Sequence, residues 1–137
     1  MQPEAKTSNT VSPSADSWIY PLTLLDPLVE AFTRFVNSNQ PGKFIVLENG
    51  AQFVQFAGTD NDSEVLLNLP LQPLLPAQIV TASQFLRESC NAEFVTDEGF
   101  NAVLPADPDS LARLTLAVFE HVYGELPKRP VKITIDG

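Results

Sequence analysis

The chain has 137 residues, 44% of them hydrophobic, and 17 acidic against 8 basic side chains give it a net charge of −9. That length makes one domain with a real core, and the sign of the charge argues against a nucleic-acid or anionic membrane surface. No apolar run approaches the roughly 20 residues of a bilayer-crossing helix, so a transmembrane helix is excluded.

Residues 1–21 are rich in Pro, Ser, Thr, Asn and Gln and read as a flexible tail before the domain. The opening MQPEAKTSNTVSPS has neither a basic stretch nor an apolar core, so no secretory signal is expected. Trp18, Ile19 and Tyr20 break the polar pattern. They either tack the tail onto the domain or wait for a partner.

The domain is expected over residues 22–126. Asp26-Pro27 predicts the start of a first helix, an N-cap followed by a proline at the first helical position. Leu25, Leu28, Val29, Phe32, Phe35 and Val36 then recur at helical spacing. Asn39, Pro41 and Gly42 end it. KFIVLE (43–48) is a predicted strand, and Asn49-Gly50 a hairpin turn with both residues at positive φ. AQFVQFA (51–57) pairs back, with Gln52, Val54 and Phe56 on one face and Phe53 and Gln55 on the other. After the polar turn GTDNDS, EVLLNL (64–69) completes an antiparallel meander.

LPLQPLLP is apolar, but its prolines forbid a continuous helix and predict an extended run across the sheet. A second helix follows over roughly 77–90, with Ile79, Ala82, Leu86 and Cys90 on one face and Phe85 beside them. Thr81 with Gln84 has capping-box spacing and leaves a later start open. Residues 93–96 and 100–104 predict a second hairpin around Asp97-Glu98-Gly99. Asp107-Pro108 starts a third helix, whose buried stripe is Leu111, Leu114, Thr115, Val118, Phe119 and Val122, and Gly124 stops it. Residues 127–137 form a C-terminal extension. Its VKITI either adds an edge strand or exchanges with a neighbour.

The inventory for chemistry is short. His121 is the only histidine and Cys90 the only cysteine. A lone His near a helix C-terminus gains from the helix dipole and lacks a metal or triad partner. A lone Cys cannot form an internal disulfide, which fits a reducing compartment such as the cytoplasm. Flanked by Glu88 and Glu93, it reads as a buried inert thiol. Asp60, Asp62 and Glu64 begin like a calcium loop, but Val65 stands where the glycine is needed and Leu71 where the closing Glu belongs. Asp107, Asp109, Asp97 and Glu98 read as caps and turns. Lys128, Arg129 and Lys132 are too few for a nucleic-acid surface. Arg34, Arg87 and Arg113 occupy polar helix faces. No cofactor or metal site is expected.

A helix, the hairpin KFIVLENGAQFVQFA, the strand EVLLNL, a second helix, the hairpin EFVTDEGFNAVL and a long third helix together resemble the type III secretion chaperone-like fold. FVQFA, a polar turn and EVLLNLP look most like its TY-Chap and YbjN-like families. The resemblance spans roughly residues 24–124, leaving VKITI outside it. It implies a single α+β domain of order α-β-β-β-α-β-β-α, an antiparallel sheet packed by helices. It also implies a non-enzymatic, often dimeric protein that holds an extended or amphipathic segment of a protein partner. Helices on one sheet face leave the other partly open, and nine Phe exceed what a minimal core demands. Phe44, Phe53, Gln55, Leu71 and Leu74 are the expected partner-binding residues. An acidic regulator or immunity-type inhibitor docking on a basic partner is the second expectation, and a small-molecule site the third.

Overall fold

The computed structural model describes residues 18–38, 40–95 and 99–136. The expectations for residues 1–17, for Asn39 and for the Asp97-Glu98 turn lie outside the described residues. The elements are α1 (Leu22–Asn37), β1 (Phe44–Asn49), β2 (Gln52–Gly58), β3 (Glu64–Leu69), α2 (Pro76–Cys90), β4 (Glu93–Val95), β5 (Gly99–Pro105), α3 (Pro108–His121) and β6 (Lys132–Asp136). This is a single α+β domain in which one antiparallel six-stranded sheet runs in the order β4-β5-β3-β2-β1-β6.

Strand alternation divides the sheet. Ile45, Leu47, Val54, Phe56, Val65, Leu67, Leu69 and Phe100 point to one face and are fully or almost fully buried. The helices cover that face. α1 buries Leu28, Ala31, Phe32 and Phe35, and Phe32 meets Phe56 edge-on with ring centroids 5.2 Å apart. α3 is buried almost all round from Leu111 to Phe119, because α1, α2 and the sheet enclose it. Its one buried polar side chain, Thr115, donates its hydroxyl to the Leu111 carbonyl one turn back at 2.9 Å.

Local chemistry sets the boundaries. Asp107 caps α3 by accepting the Ser110 N–H at 3.2 Å. Gly124 (φ +98°) follows it, and the Glu125 N–H returns to the Phe119 carbonyl at 3.0 Å. Pro76 opens α2, whose Gln78 side chain accepts the Leu75 N–H at 2.8 Å. Thr81 is one turn inside and donates to the Ala77 carbonyl, so the later start is not used.

Three expectations are corrected. α1 begins at Leu22, not at Asp26, and Pro27 lies inside it. The Leu25 N–H already bonds to the Pro21 carbonyl at 2.9 Å. The helix gives up only the Thr23 carbonyl's bond at Pro27, and Thr23 is exposed to water. Second, the first hairpin closes on the Asn49–Gln52 pair, so its turn residues are Gly50 and Ala51. Gly50 alone has positive φ (+66°), as a turn of the II′ class requires. Third, the proline-rich link does not run extended throughout: the Leu74 N–H turns back to the Leu71 carbonyl at 2.9 Å.

Both flanks join the core. Tyr20 is buried and donates its hydroxyl to Glu120 at 3.0 Å, while Arg113 donates to the Trp18 carbonyl at 2.7 Å. Trp18 packs against Phe85, which stacks on His121. VKITI supplies β6, paired antiparallel to β1 from Phe44↔Asp136 to Glu48↔Lys132.

Candidate functional site

The sheet face opposite the helices is built by the same alternation that fills the core. Register places one row straight across all six strands: Thr134, Val46, Gln55, Asn68, Asn101 and Glu93. Its centre is a chain of amides. Gln55 donates to the Asn68 side-chain carbonyl, and Asn68 donates to that of Asn101 at 2.8 Å. The Gln55 side-chain oxygen stands at one end and the Asn101 amide NH2 at the other, an acceptor and a donor pointing in a fixed order.

The adjacent row is apolar. Phe44, Ala57, Leu66 and Val103 are cross-strand neighbours on β1, β2, β3 and β5. Phe44 is 38% and Val103 59% exposed. A shallow depression of about 290 Å³ lies between Phe44, Gln55, Ala57 and Asn68. A second, of about 600 Å³, takes in Leu66, Asn101 and Val103 and runs towards Arg87 and Cys90. The face therefore combines an apolar stripe with a parallel strip of ordered amides.

Of the residues expected to bind a partner, Phe44, Phe53 and Gln55 share this face. Leu74 is turned into the core at 8% exposure, and Leu71 is half-buried against it. The turn in the proline-rich link faces both inward, so neither joins the other three. The sequence reading missed Leu66 and Val103. Leu66 sits in the unbroken run VLLNL, where alternation is masked.

One edge of the face is closed by an unforeseen hydroxyl. β2 outlasts β3 at its Phe53 end, where the ladder would need an N–H from Pro70. Tyr123 substitutes for it, accepting the Phe53 N–H at 3.3 Å and donating to the Phe53 carbonyl at 2.8 Å. Burial pushes the Tyr123 phenol up to about 12, with the bond to Phe53 holding it down in part.

A second concave surface lies on the helix side. Ile79, Val80, Ser83, Gln84, Arg87 and Glu88 of α2 face Phe94 across a groove of about 610 Å³. Val80 is 70% and Phe94 50% exposed. The nine Phe thus divide: Phe32, Phe35, Phe56, Phe100 and Phe119 are core, Phe53 and Phe85 are half-buried, and Phe44 and Phe94 meet solvent.

Cys90 and His121 are both engaged with neighbouring groups. Burial raises the Cys90 thiol to about 11, only partly offset by the Ala92 backbone N–H, and its sulfur donates to the Leu86 carbonyl. His121 stacks on Phe85 at 5.0 Å. Among the described residues, no three His, Cys, Asp or Glu side chains gather as a ligand set, and no helix is long and apolar enough to cross a membrane. Comparison with family models, curated proteins and solved structures gives no match.

Proposed function

We propose that this domain is a non-enzymatic protein-binding module, chaperone-like or adaptor-like, which holds an amphipathic segment of a partner protein on its open sheet face. The observation that carries this reading is the apolar row Phe44–Ala57–Leu66–Val103 beside the Gln55–Asn68–Asn101 amide chain. Covering Phe44 and Val103 removes about 180 Å² of apolar area from water, about 4 kcal/mol before the costs of association. The amide strip fixes the orientation of the bound segment, since a partner carbonyl is read at one end and a partner donor at the other. The resemblance to secretion chaperones points the same way.

The test compares the wild-type chain with a Phe44→Asp/Val103→Asp double variant in affinity capture from a lysate of the source organism, read by mass spectrometry at low and high salt. One stoichiometric partner, kept at high salt and lost with the double variant, is the expected result. A partner lost at high salt but indifferent to the substitutions would replace this reading with acidic docking on a basic protein. Equal capture by both chains at both salts would refute the open face as the site.

A further inference from the structure

β6 is an edge strand of the sheet, and its outer side carries a regular alternation of backbone and side-chain groups. The Gly58 N–H bonds to the Lys43 carbonyl, which fixes the ladder phase: Ile45 and Leu47 bond towards β2, and Phe44, Val46 and Glu48 towards β6. Their partners Asp136, Thr134 and Lys132 therefore spend their backbone groups on β1. The N–H and C=O of Ile133 and Ile135 point the other way, off the edge of the sheet. Four main-chain groups in a row form a template for another strand.

The side chains say which strand fits. Around Thr134, the sequence Lys-Ile-Thr-Ile-Asp is chemically its own complement when read antiparallel. Lys132 and Asp136 sit at equal distances on either side, on the open face, and both are exposed. Ile133 and Ile135 sit on the helix face and are half-buried. We infer that β6 is the seam of a symmetric homodimer, pairing antiparallel with the β6 of a second copy about a two-fold axis at Thr134.

In that register each Ile133 faces the second copy's Ile135, and both residues are in the ladder phase whose backbone groups point outward. Four main-chain hydrogen bonds form, two around each such pair. Thr134 meets Thr134, a favourable cross-strand pair, and each Lys132 lies opposite an Asp136. A shift of two residues places Lys132 opposite Thr134 in one direction and Asp136 opposite Thr134 in the other; either loses both charge pairs and one of the two hydrogen-bonded pairs within β6, so the chemistry selects a single alignment. Because paired antiparallel residues share a face, both open faces lie on the same side of one continuous sheet. The inference concerns the edge and stands whether or not the open face takes a partner segment.

The test is sedimentation velocity over a wide concentration range. The wild-type chain is expected to self-associate. Lys132→Asp puts Asp opposite Asp at both ends of the seam, and Asp136→Lys puts Lys opposite Lys, so each alone is expected to weaken the dimer about tenfold or more. Mixed in equal amounts, these two variants restore both opposite-charge pairs and are expected to form a heterodimer. The swap Lys132→Asp/Asp136→Lys on one chain is expected to restore the homodimer. A second measurement is independent of charge. Thr134→Cys places two thiols at a directly opposed, non-hydrogen-bonded pair about 4.5 Å apart between Cα atoms, within disulfide reach. Under mild oxidation it is expected to form a covalent dimer, and Lys132→Cys is not. A wild-type chain that stays monomeric throughout, a dimer indifferent to both single reversals, a mixture that stays monomeric, or equal cross-linking of the two cysteine variants would each overturn the inference.

Discussion

Gly99 is where a single methyl group should do most damage to this fold. It opens β5 at φ +113°, beside the end of β3. A Cβ built there would lie 2.1 Å from the Leu69 carbonyl oxygen, 2.8 Å from the Pro70 Cα and 3.0 Å from the Leu69 carbonyl carbon. All three are backbone atoms, so no side chain can swing aside. Gly99→Ala therefore adds two costs: about 1–2 kcal/mol for a left-handed L-residue and about 1–3 kcal/mol for forcing packed elements apart. We expect a loss of about 3–4 kcal/mol, a large part of the ~5–15 kcal/mol that holds a typical domain folded. Gly42 (φ +92°) and Gly124 (φ +98°) provide the control, since a Cβ at either meets nothing within 4 Å. Alanine there should cost only the conformational part, about 1–2 kcal/mol. Urea unfolding separates the cases, with the Gly99→Ala midpoint expected about 2 M below wild type for a slope of ~1.7 kcal/mol/M. Midpoints for Gly99→Ala and Gly42→Ala that agree within about 0.5 M would refute the close approach of β5 to the β3 end.

Tyr123→Phe keeps the ring against Phe119 but leaves the Phe53 N–H and carbonyl without the hydroxyl; a loss of about 1–3 kcal/mol is expected in the same assay, and hydrogen exchange at Phe53 should rise. Ser89→Ala should instead stabilise by about 0.5–1 kcal/mol, because the buried Ser89 hydroxyl has no hydrogen-bond partner among the described residues and alanine is the better helix former; a lower melting temperature would contradict this. Stability should also fail in alkali. Burial, with Glu120 adding to it, pushes the Tyr20 phenol up, and burial raises Tyr123 to about 12 and Cys90 to about 11. The unfolded chain gives up these protons first, at the ordinary values of 10.0 for Tyr and 9.0 for Cys. The contribution is therefore complete below about pH 9 and lost as pH rises towards 12. Urea midpoints that hold steady from neutral pH to about pH 11 would show that these groups are not protected.

Local rules carried the sequence reading where tertiary contacts add little. Asp107-Pro108 starts α3 because the cap and the proline act within one turn. The division of β2 into Val54 and Phe56 against Phe53 and Gln55 follows from pleat alone. The start of α1 was not legible because distant groups decide it. The buried Tyr20 and the Trp18 carbonyl held by Arg113 fix the chain ahead of Pro21, and that anchoring outweighs the local proline signal at Pro27. The open-face row was half legible. Phe44 announces itself by its position in a hairpin, but Leu66 and Val103 become its neighbours only through a register shared by four strands. Leu74 misled because a proline-rich apolar link looks like surface until its Leu71–Leu74 turn is seen.

The β1–β6 ladder has a consequence for how the chain folds. β1, β2 and β3 are joined by short turns and can pair as soon as they leave the ribosome. β6, the partner that covers the outer side of β1, comes last in chain order among the six described strands. Until it arrives, Phe44, Val46 and Glu48 present unpaired backbone to the cytosol of any producing cell, next to the apolar Ile45 and Leu47. Such an edge is where nascent chains stick to one another. β6 thus ends the vulnerable interval of biosynthesis as well as completing the sheet. A chain truncated before Lys132 should accumulate as insoluble aggregate during expression, even though all three described helices and five of the six described strands remain encoded.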